Sequence, residues 1–188
     1  MNKKVKREII EWVLFIVIIG GLYLSGYHTT VIGTIQRLVL STGLLTPDKE
    51  TEDLKAADYN LRLSDPEGNI LDLNQLKGKT IFMNYWATWC PPCIAEMPDI
   101  NNLYKEVGND VVFLMISLDE DPQKAIRFAN RKEYDFPVYF PASRRPRVFV
   151  SSSIPTTYVI SPDGKIVVEN KGMAKYNTES FKKMLSGL

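Results

Sequence analysis

The chain holds two cysteines and one histidine among 188 residues. A structural zinc site needs about four Cys or His ligands, so zinc here would require a second chain. A disulfide-stapled scaffold needs several pairs, and a domain of this length buries an adequate core without staples. Neither sign of charge is in excess: 23 Lys and Arg face 22 Asp and Glu, a formal net charge of +1. No basic tract is interleaved with aromatics, so nothing points to a nucleic-acid partner. Internal repeats and low-complexity segments are missing too. What remains is a globular composition, sized for one domain and an appendage.

The appendage is the N-terminus. It opens "MNKKVKREII" and continues "EWVLFIVIIGGLYLSGY", with no charge between Glu11 and Arg37. Ile9 to Tyr27 is about 19 residues, or roughly 28 Å as a helix, close to one bilayer core. The basic head predicts a cytoplasmic N-terminus and export of the rest. Residues 1–28 are therefore expected to be a basic head and a transmembrane anchor in contact with lipid. A cleaved signal peptide is the alternative, against which stand a long apolar core and the poor cleavage sequence "LYLSGYHTT". A helix buried in a soluble domain is a third. Residues 29–57 read as a juxtamembrane helix, with Val31, Ile32, Ile35, Leu38, Val39 and Leu44 near helical spacing, then a polar linker "TPDKETEDLKAAD". That helix continues the anchor, packs on the domain or lies at the membrane surface.

From residue 58 the patterning becomes regular. "YNLRL" and "ILDLNQL" alternate around the turn "SDPEGN", a hairpin signal. "IFMNYW" and "VVFLMISL" are apolar runs suited to buried strands. "PPCIAEMPDINNLYKEVG" has helical periodicity, with Pro98 expected to kink it. Asp121 and Pro122 form a helix start. "TTYVI" and "KIVVEN" flank "SPDG", a second hairpin, and "NTESFKKML" closes the chain as a helix. The order is hairpin, β, α, β, α, β, β, α, an α/β fold with a mixed central sheet flanked by helices.

Both cysteines fall in "WATWCPPC", as Cys90 and Cys93. The sole histidine, His28, lies at the expected membrane boundary, away from them. A haem attachment site needs His directly after the second Cys, and Ile94 stands there. A structural disulfide across two residues closes too small a loop to restrict the unfolded chain much. A redox dithiol has positive support. Cys90 ends a buried strand and Cys93 lies in the first helical turn, where free N–H groups and the helix dipole stabilise a thiolate. Pro91 and Pro92 stiffen the turn, and Pro92 suits the first helical positions. "WATW" offers aromatic cover.

"FMNYWATWCPPCIAEMP" resembles the active-site strand, loop and helix of thioredoxin-fold oxidoreductases, most of all the membrane-anchored TlpA-like and ResA-like branch. "SIPTTYVISPDGKIV" is a second match, resembling the cis-proline loop of that family at Ile154–Pro155–Thr156. The resemblance covers roughly residues 58–188. It implies a thioredoxin-like domain with an N-terminal hairpin extension, and a thiol–disulfide oxidoreductase. Cys90 would attack the substrate disulfide, and Cys93 would resolve the mixed disulfide. Trp89, Pro91, Pro92, Ile154 and Pro155 would line the substrate site. No cofactor is implied beyond the Cys90–Cys93 pair. Exported Cys-containing proteins are the implied partners, with a membrane-embedded electron donor, on the periplasmic side of the cytoplasmic membrane. The resemblance favours a reductant.

Cytoplasmic thioredoxins carry a buried Asp where this chain has Asn84. Glu96 lies one helical turn after Cys93, a spacing shared with the ResA-like group. The resemblance implies a partly buried Glu96 that accepts the Cys93 proton; a solvated carboxylate complementing the dipole is the alternative. Peroxiredoxins have a related fold but need Pro-x-x-x-Thr/Ser-x-x-Cys, and Met83 and Ala87 occupy those places. A binding or assembly factor that grips Cys-containing clients without turnover is a further alternative. "SLDEDP" reads as a helix start rather than a calcium loop. Arg144, Arg145 and Arg147 read as a solvated loop, with an acidic partner or thiolate stabilisation as the sharper option. Tyr134 and Phe136 read as core and edge-strand aromatics.

Overall fold

The computed structural model describes residues 3–24, 32–33, 35–36, 40, 45–47 and 54–188. Three long strands form the centre: β3 (Thr80–Trp86), β4 (Val111–Ser117) and β6 (Thr156–Ile160). Every residue of β3 and of β6 is buried, as their continuous apolar runs require of strands covered on both faces. Around them lie β1 (Arg62–Ser64), β2 (Ile70–Asp72), β5 (Val138–Pro141) and β7 (Ile166–Lys171), in the order β2-β1-β5-β4-β3-β6-β7. β3 pairs in parallel with β4, and β4 with β5; the other pairings are antiparallel. The sheet is mixed, as the sequence order implies.

The helices are α1 (Lys3–Leu24), α2 (Pro91–Val107), α3 (Pro122–Arg131) and α4 (Glu179–Ser186). α2 to α4 bury one apolar stripe each. Met97, Ile100 and Leu103 of α2, Phe128 of α3 and Phe181 of α4 join Phe82, Trp86 and Phe113 in one cluster. Alternate strand residues, Ile81, Met83, Tyr85, Leu114 and Ile116, face a second cluster closed by Leu61, Leu73, Leu76 and Phe149. That opposite face is covered by the hairpin, by short 3-10 turns at Leu73–Leu76 and Arg147–Phe149, and by their loops.

Two local departures from the sequence reading have physical causes. "ILDLNQL" does not continue as a strand: the Asp72 carboxylate accepts from the Asn74 N–H at 2.9 Å and caps a 3-10 turn. β5 is absent from the expected order because it spans four residues, directly after Pro137 and ending on Pro141; it sits between β1 and β4 and not at an edge. The helix over 91–107 runs through Pro98 as one element.

The N-terminal helix forms, but its charges reach into it. Arg7 and Glu11 pair at 2.9 Å, and within the described helix the residues from Trp12 to Leu24 are uncharged. Among the described residues no helix is long and apolar enough to cross a membrane. The end of the expected span, residues 25–27, and most of the juxtamembrane helix lie outside the described residues. The described parts of 29–57 touch the domain. Leu40 is buried, the Leu45 carbonyl accepts from Lys175 N–H, and Lys55 and Ala57 bond to Ile166 and Gly164.

Candidate functional site

The dithiol sits where β3 hands over to α2. After Trp86 the chain makes a turn in which Cys90 N–H donates to the Ala87 carbonyl at 3.2 Å. Cys90 then takes the N-cap position in extended conformation, with its sulfur 3.3 Å from Cys93 N. Pro91 and Pro92 fill the first helical positions, where a missing N–H costs nothing. The two sulfurs are joined in a disulfide. Cys93 is fully buried, and Cys90 is 4% exposed.

Two segments frame the sulfurs. The Ile154–Pro155 peptide bond is cis, and the Ile154 carbonyl oxygen lies 3.7 Å from Cys90 Sγ. Ile154 is half-buried and Pro155 buried. Trp86 is buried in the same cluster as both cysteines, whereas Trp89 is 59% exposed beside them. "WATW" thus places one ring beneath the sulfurs and one in solvent. Gly33 packs against the same turn: a Cβ there would lie 3.1 Å from the Pro91 carbonyl oxygen and 3.4 Å from Ile94 Cγ2.

Glu96 is fully buried. Its Oε1 accepts from Asn84 Nδ2 at 2.8 Å and its Oε2 from Ala174 N–H at 3.1 Å. Burial pushes its pKa up to about 8; the bonds from Asn84 and Ala174 oppose the rise, and nearby Asp99 adds to it. Glu96 is therefore not a solvated helix carboxylate. It lies one turn beyond Cys93, on a helix face that buries both residues.

Several residues that bear on the site escaped the sequence reading. Asp119, read there only as part of the "SLDEDP" helix start, clamps the loop before Cys90. Its carboxylate accepts from Thr88 N–H at 3.0 Å, from Thr88 Oγ1 at 2.6 Å and from Ser117 Oγ at 2.9 Å. Asp121 caps α3 through Gln123 N–H. Among the described residues no cluster of three Cys, His, Asp or Glu could hold a metal. Thr157 and Tyr176 join Asn84 in a buried chain of hydrogen bonds. Thr157 was findable from strand register, since it lies directly opposite Asn84; Tyr176 lies in a loop whose sequence carries no signal. Of the arginines, Arg145 lies over the Tyr85 ring at 5.2 Å, while Arg144 and Arg147 are exposed. Tyr134 and Phe136 stack on each other at 5.0 Å in the core.

Comparison with known proteins agrees with this arrangement. The Redoxin family profile matches residues 49–185. The thiol–disulfide oxidoreductase ResA of Bacillus thuringiensis strain Al Hakam is 33% identical over 144 residues, 74% of this chain and 82% of that one. ResA of Bacillus subtilis strain 168 is 34% identical over 110 residues, 57% of this chain and 62% of that one. Among solved structures, the exposed lipoprotein thioredoxin Etrx1 of Streptococcus pneumoniae superimposes with a TM-score of 0.55 at 27% identity, over 68% of this chain and 98% of that one. A disulfide at a helix start on a thioredoxin-like sheet, and this kinship, make the chain a member of the Redoxin family and a thiol–disulfide oxidoreductase related to ResA.

Proposed function

We propose that this enzyme reduces disulfides of exported proteins on the outer face of the cytoplasmic membrane, with Cys90 as nucleophile, Cys93 as resolving thiol and Glu96 as its base. The observation that carries the reading is the sulfur pair at the α2 N-terminus, opposite the Ile154 carbonyl and one turn from a buried carboxyl. In the reduced enzyme the Cys93 N–H and the helix dipole favour a Cys90 thiolate. The thiolate attacks one client sulfur; the client S–S bond breaks and its other sulfur leaves as a thiolate, taking a proton from solvent. Glu96, protonated at rest, first gives its proton to solvent and then, as a carboxylate, accepts the Cys93 proton. The Cys93 thiolate then attacks Cys90 Sγ, the mixed disulfide breaks, and the client's second sulfur leaves reduced. Two electrons have passed to the client, and the Cys90–Cys93 disulfide has formed.

Trp89, Pro91, Pro92, Ile154 and Pro155 form the surface against which a client peptide lies. A dithiol donor in the membrane re-reduces the pair. The N-terminal helix tethers the domain: Trp12, Ile16 and Tyr23 present exposed apolar surface, and the basic head keeps the first residues inside.

Insulin reduction driven by a small dithiol tests the activity; turnover is expected for the wild type and none for Cys90→Ser. Titration of the pair against glutathione tests the direction. A reduction potential near −120 mV, that of a strong oxidant, would overturn the reductant role. Protease accessibility of the domain in intact cells stripped of their wall tests its side of the membrane.

A further inference from the structure

One stretch of the domain carries charge of a single sign. Between Asp135 and Asp163 the chain has no acid, and its only charges are Arg144, Arg145 and Arg147. Among the described residues none of these three belongs to an ion pair. The loop that holds them is fixed to the body of the domain. At its start Ala142 N–H donates to the Arg62 carbonyl at 2.9 Å, and Arg62 N–H donates to Ser143 Oγ at 2.9 Å. Pro146 and Phe149 are buried. Val150 N–H closes a turn on the Arg147 carbonyl at 3.2 Å. A 3-10 turn has about three residues per turn, so Arg147 and Val150 lie on one side of it. Both are exposed, and so is Arg144. Arg145 is half-buried and turns inward over the Tyr85 ring.

The loop lies at the dithiol end of the sheet. Tyr85 pairs with Thr156, the residue after the cis-proline. From Val150 the chain enters a turn in which Thr156 Oγ1 donates to the Ser153 carbonyl at 2.7 Å and lies 2.9 Å from Ser151 Oγ. That turn delivers the Ile154 carbonyl to Cys90 Sγ. The acids near the dithiol stand on its other side, after β4, and two of the three are engaged. Asp119 holds Thr88 and Ser117, while Asp121 caps α3 and pairs with Arg127 at 3.6 Å. We propose that Arg144, Arg147 and Val150 form a docking surface for an acidic segment of the client polypeptide, beside the client cysteine that meets Cys90. The proposal rests on the reading of Trp89, Ile154 and Pro155 as the client surface. Two exposed guanidiniums with no carboxylate of their own are complementary to Asp and Glu side chains, and Val150 adds an apolar contact between them and the cis-proline turn. An anionic lipid surface offers the same charge, but a bilayer against this face would cover Ile154 and Cys90, where the client must enter.

The probes are two synthetic peptides that share one intramolecular disulfide and differ only in the residues flanking it, Asp in one and Asn in the other. The full chain, reduced and held in a neutral detergent, is mixed with each, and the rate at which the peptide disulfide disappears is measured. The Asp peptide should react about fivefold faster at low ionic strength, the gain that two exposed ion pairs supply. The ratio should fall towards one near 1 M salt, where the screening length is about 3 Å. Arg144→Gln combined with Arg147→Gln should bring the low-salt ratio to about one, whereas Lys at both positions, which keeps the charge, should retain the preference. A wild-type ratio of one, or a ratio that the double Gln variant leaves unchanged, overturns the proposal. A ratio of one together with weaker binding of the double Gln variant to phosphatidylglycerol vesicles overturns it in favour of a lipid surface. If exchange runs only from dithiol peptides to the Cys90–Cys93 disulfide, the ratio is read on that reaction; a preference there keeps the docking surface, and the reductant role alone fails. Exchange with neither peptide in either direction overturns the client surface and the docking with it.

Discussion

Glu96→Gln should abolish a decline of folding stability with pH that runs from about pH 4.5 to about 8. Below about pH 4.5 the carboxyl is protonated in both folded and unfolded chains, so it adds no pH dependence. Above that the unfolded chain gives up the proton and the folded chain keeps it. Stability then falls by about 1.4 kcal/mol per pH unit until the folded carboxyl ionises near pH 8. The whole decline is about 5 kcal/mol, and full burial leaves no solvent screening to reduce it. Gln mimics the neutral acid. The carboxyls held below their ordinary range, such as Asp65, Asp72 and Asp135, titrate below this window, and the buried tyrosines above it. Urea unfolding of the oxidised proteins at closely spaced pH values measures the difference, free of thiol titration. The two proteins should match near pH 4.5, and the variant should be the more stable at pH 8. Parallel stability curves across the window would refute a buried, neutral Glu96.

Asp119→Ala should destabilise the fold by about 2 kcal/mol, because it strips an acceptor from Thr88 N–H and the hydroxyls of Thr88 and Ser117; urea titration measures this, and insulin turnover should fall with it as the loop before Cys90 loosens. Trp89→Ala should leave stability within about 0.5 kcal/mol, since the ring is 59% exposed, but should raise the KM for protein clients. Cys93→Ala should accumulate a mixed disulfide through Cys90 that is stable to electrophoresis without reductant, whereas Cys90→Ala should accumulate none. Hydrogen peroxide should not be turned over by the wild type, because Ala87 and Met83 occupy the places where a peroxidase site needs Thr or Ser and Pro.

The central strands and the dithiol were legible in the sequence because their signals are local. "IFMNYW" and "VVFLMISL" declare burial on both faces, and the Cys-Pro-Pro-Cys turn carries its own N-cap and its own first-turn prolines. The 3-10 turn at Leu73–Leu76 was not legible, because its alternation is that of a strand and a single carboxylate decides against it. β5 was hidden by its flanking prolines and gains its pairing from β1 and β4, which are distant in sequence. Asp119 shows the limit most clearly. In "SLDEDP" the proline after Asp121 marks that acid as the cap of α3, but nothing local marks Asp119, whose clamp on Thr88 comes from tertiary placement. Tyr176 is further out of reach, since its role exists only where the loop after β7 folds back over α2.

The position of the buried acid separates two properties that a strand-borne acid would tie together. Asn84 keeps the strand site polar but uncharged. The acid stands instead on α2, the helix whose N-terminus holds the sulfurs. The helix dipole lowers the energy of an anion at Cys90, at the start of α2, and its effect fades within the first turn. Glu96 lies beyond that turn, so burial and hydrogen bonds govern it rather than the dipole. Cys90 can therefore be a thiolate while Glu96 keeps its proton. An uncharged Glu96 adds no negative charge near the nucleophile in the resting reduced enzyme. The acid can ionise without abolishing the field at the helix start, and in the proposed reaction it would then be a base within one turn of Cys93. In the reaction proposed above, attack by Cys90 and activation of Cys93 would thus draw on different sources of electrostatic stabilisation along one helix.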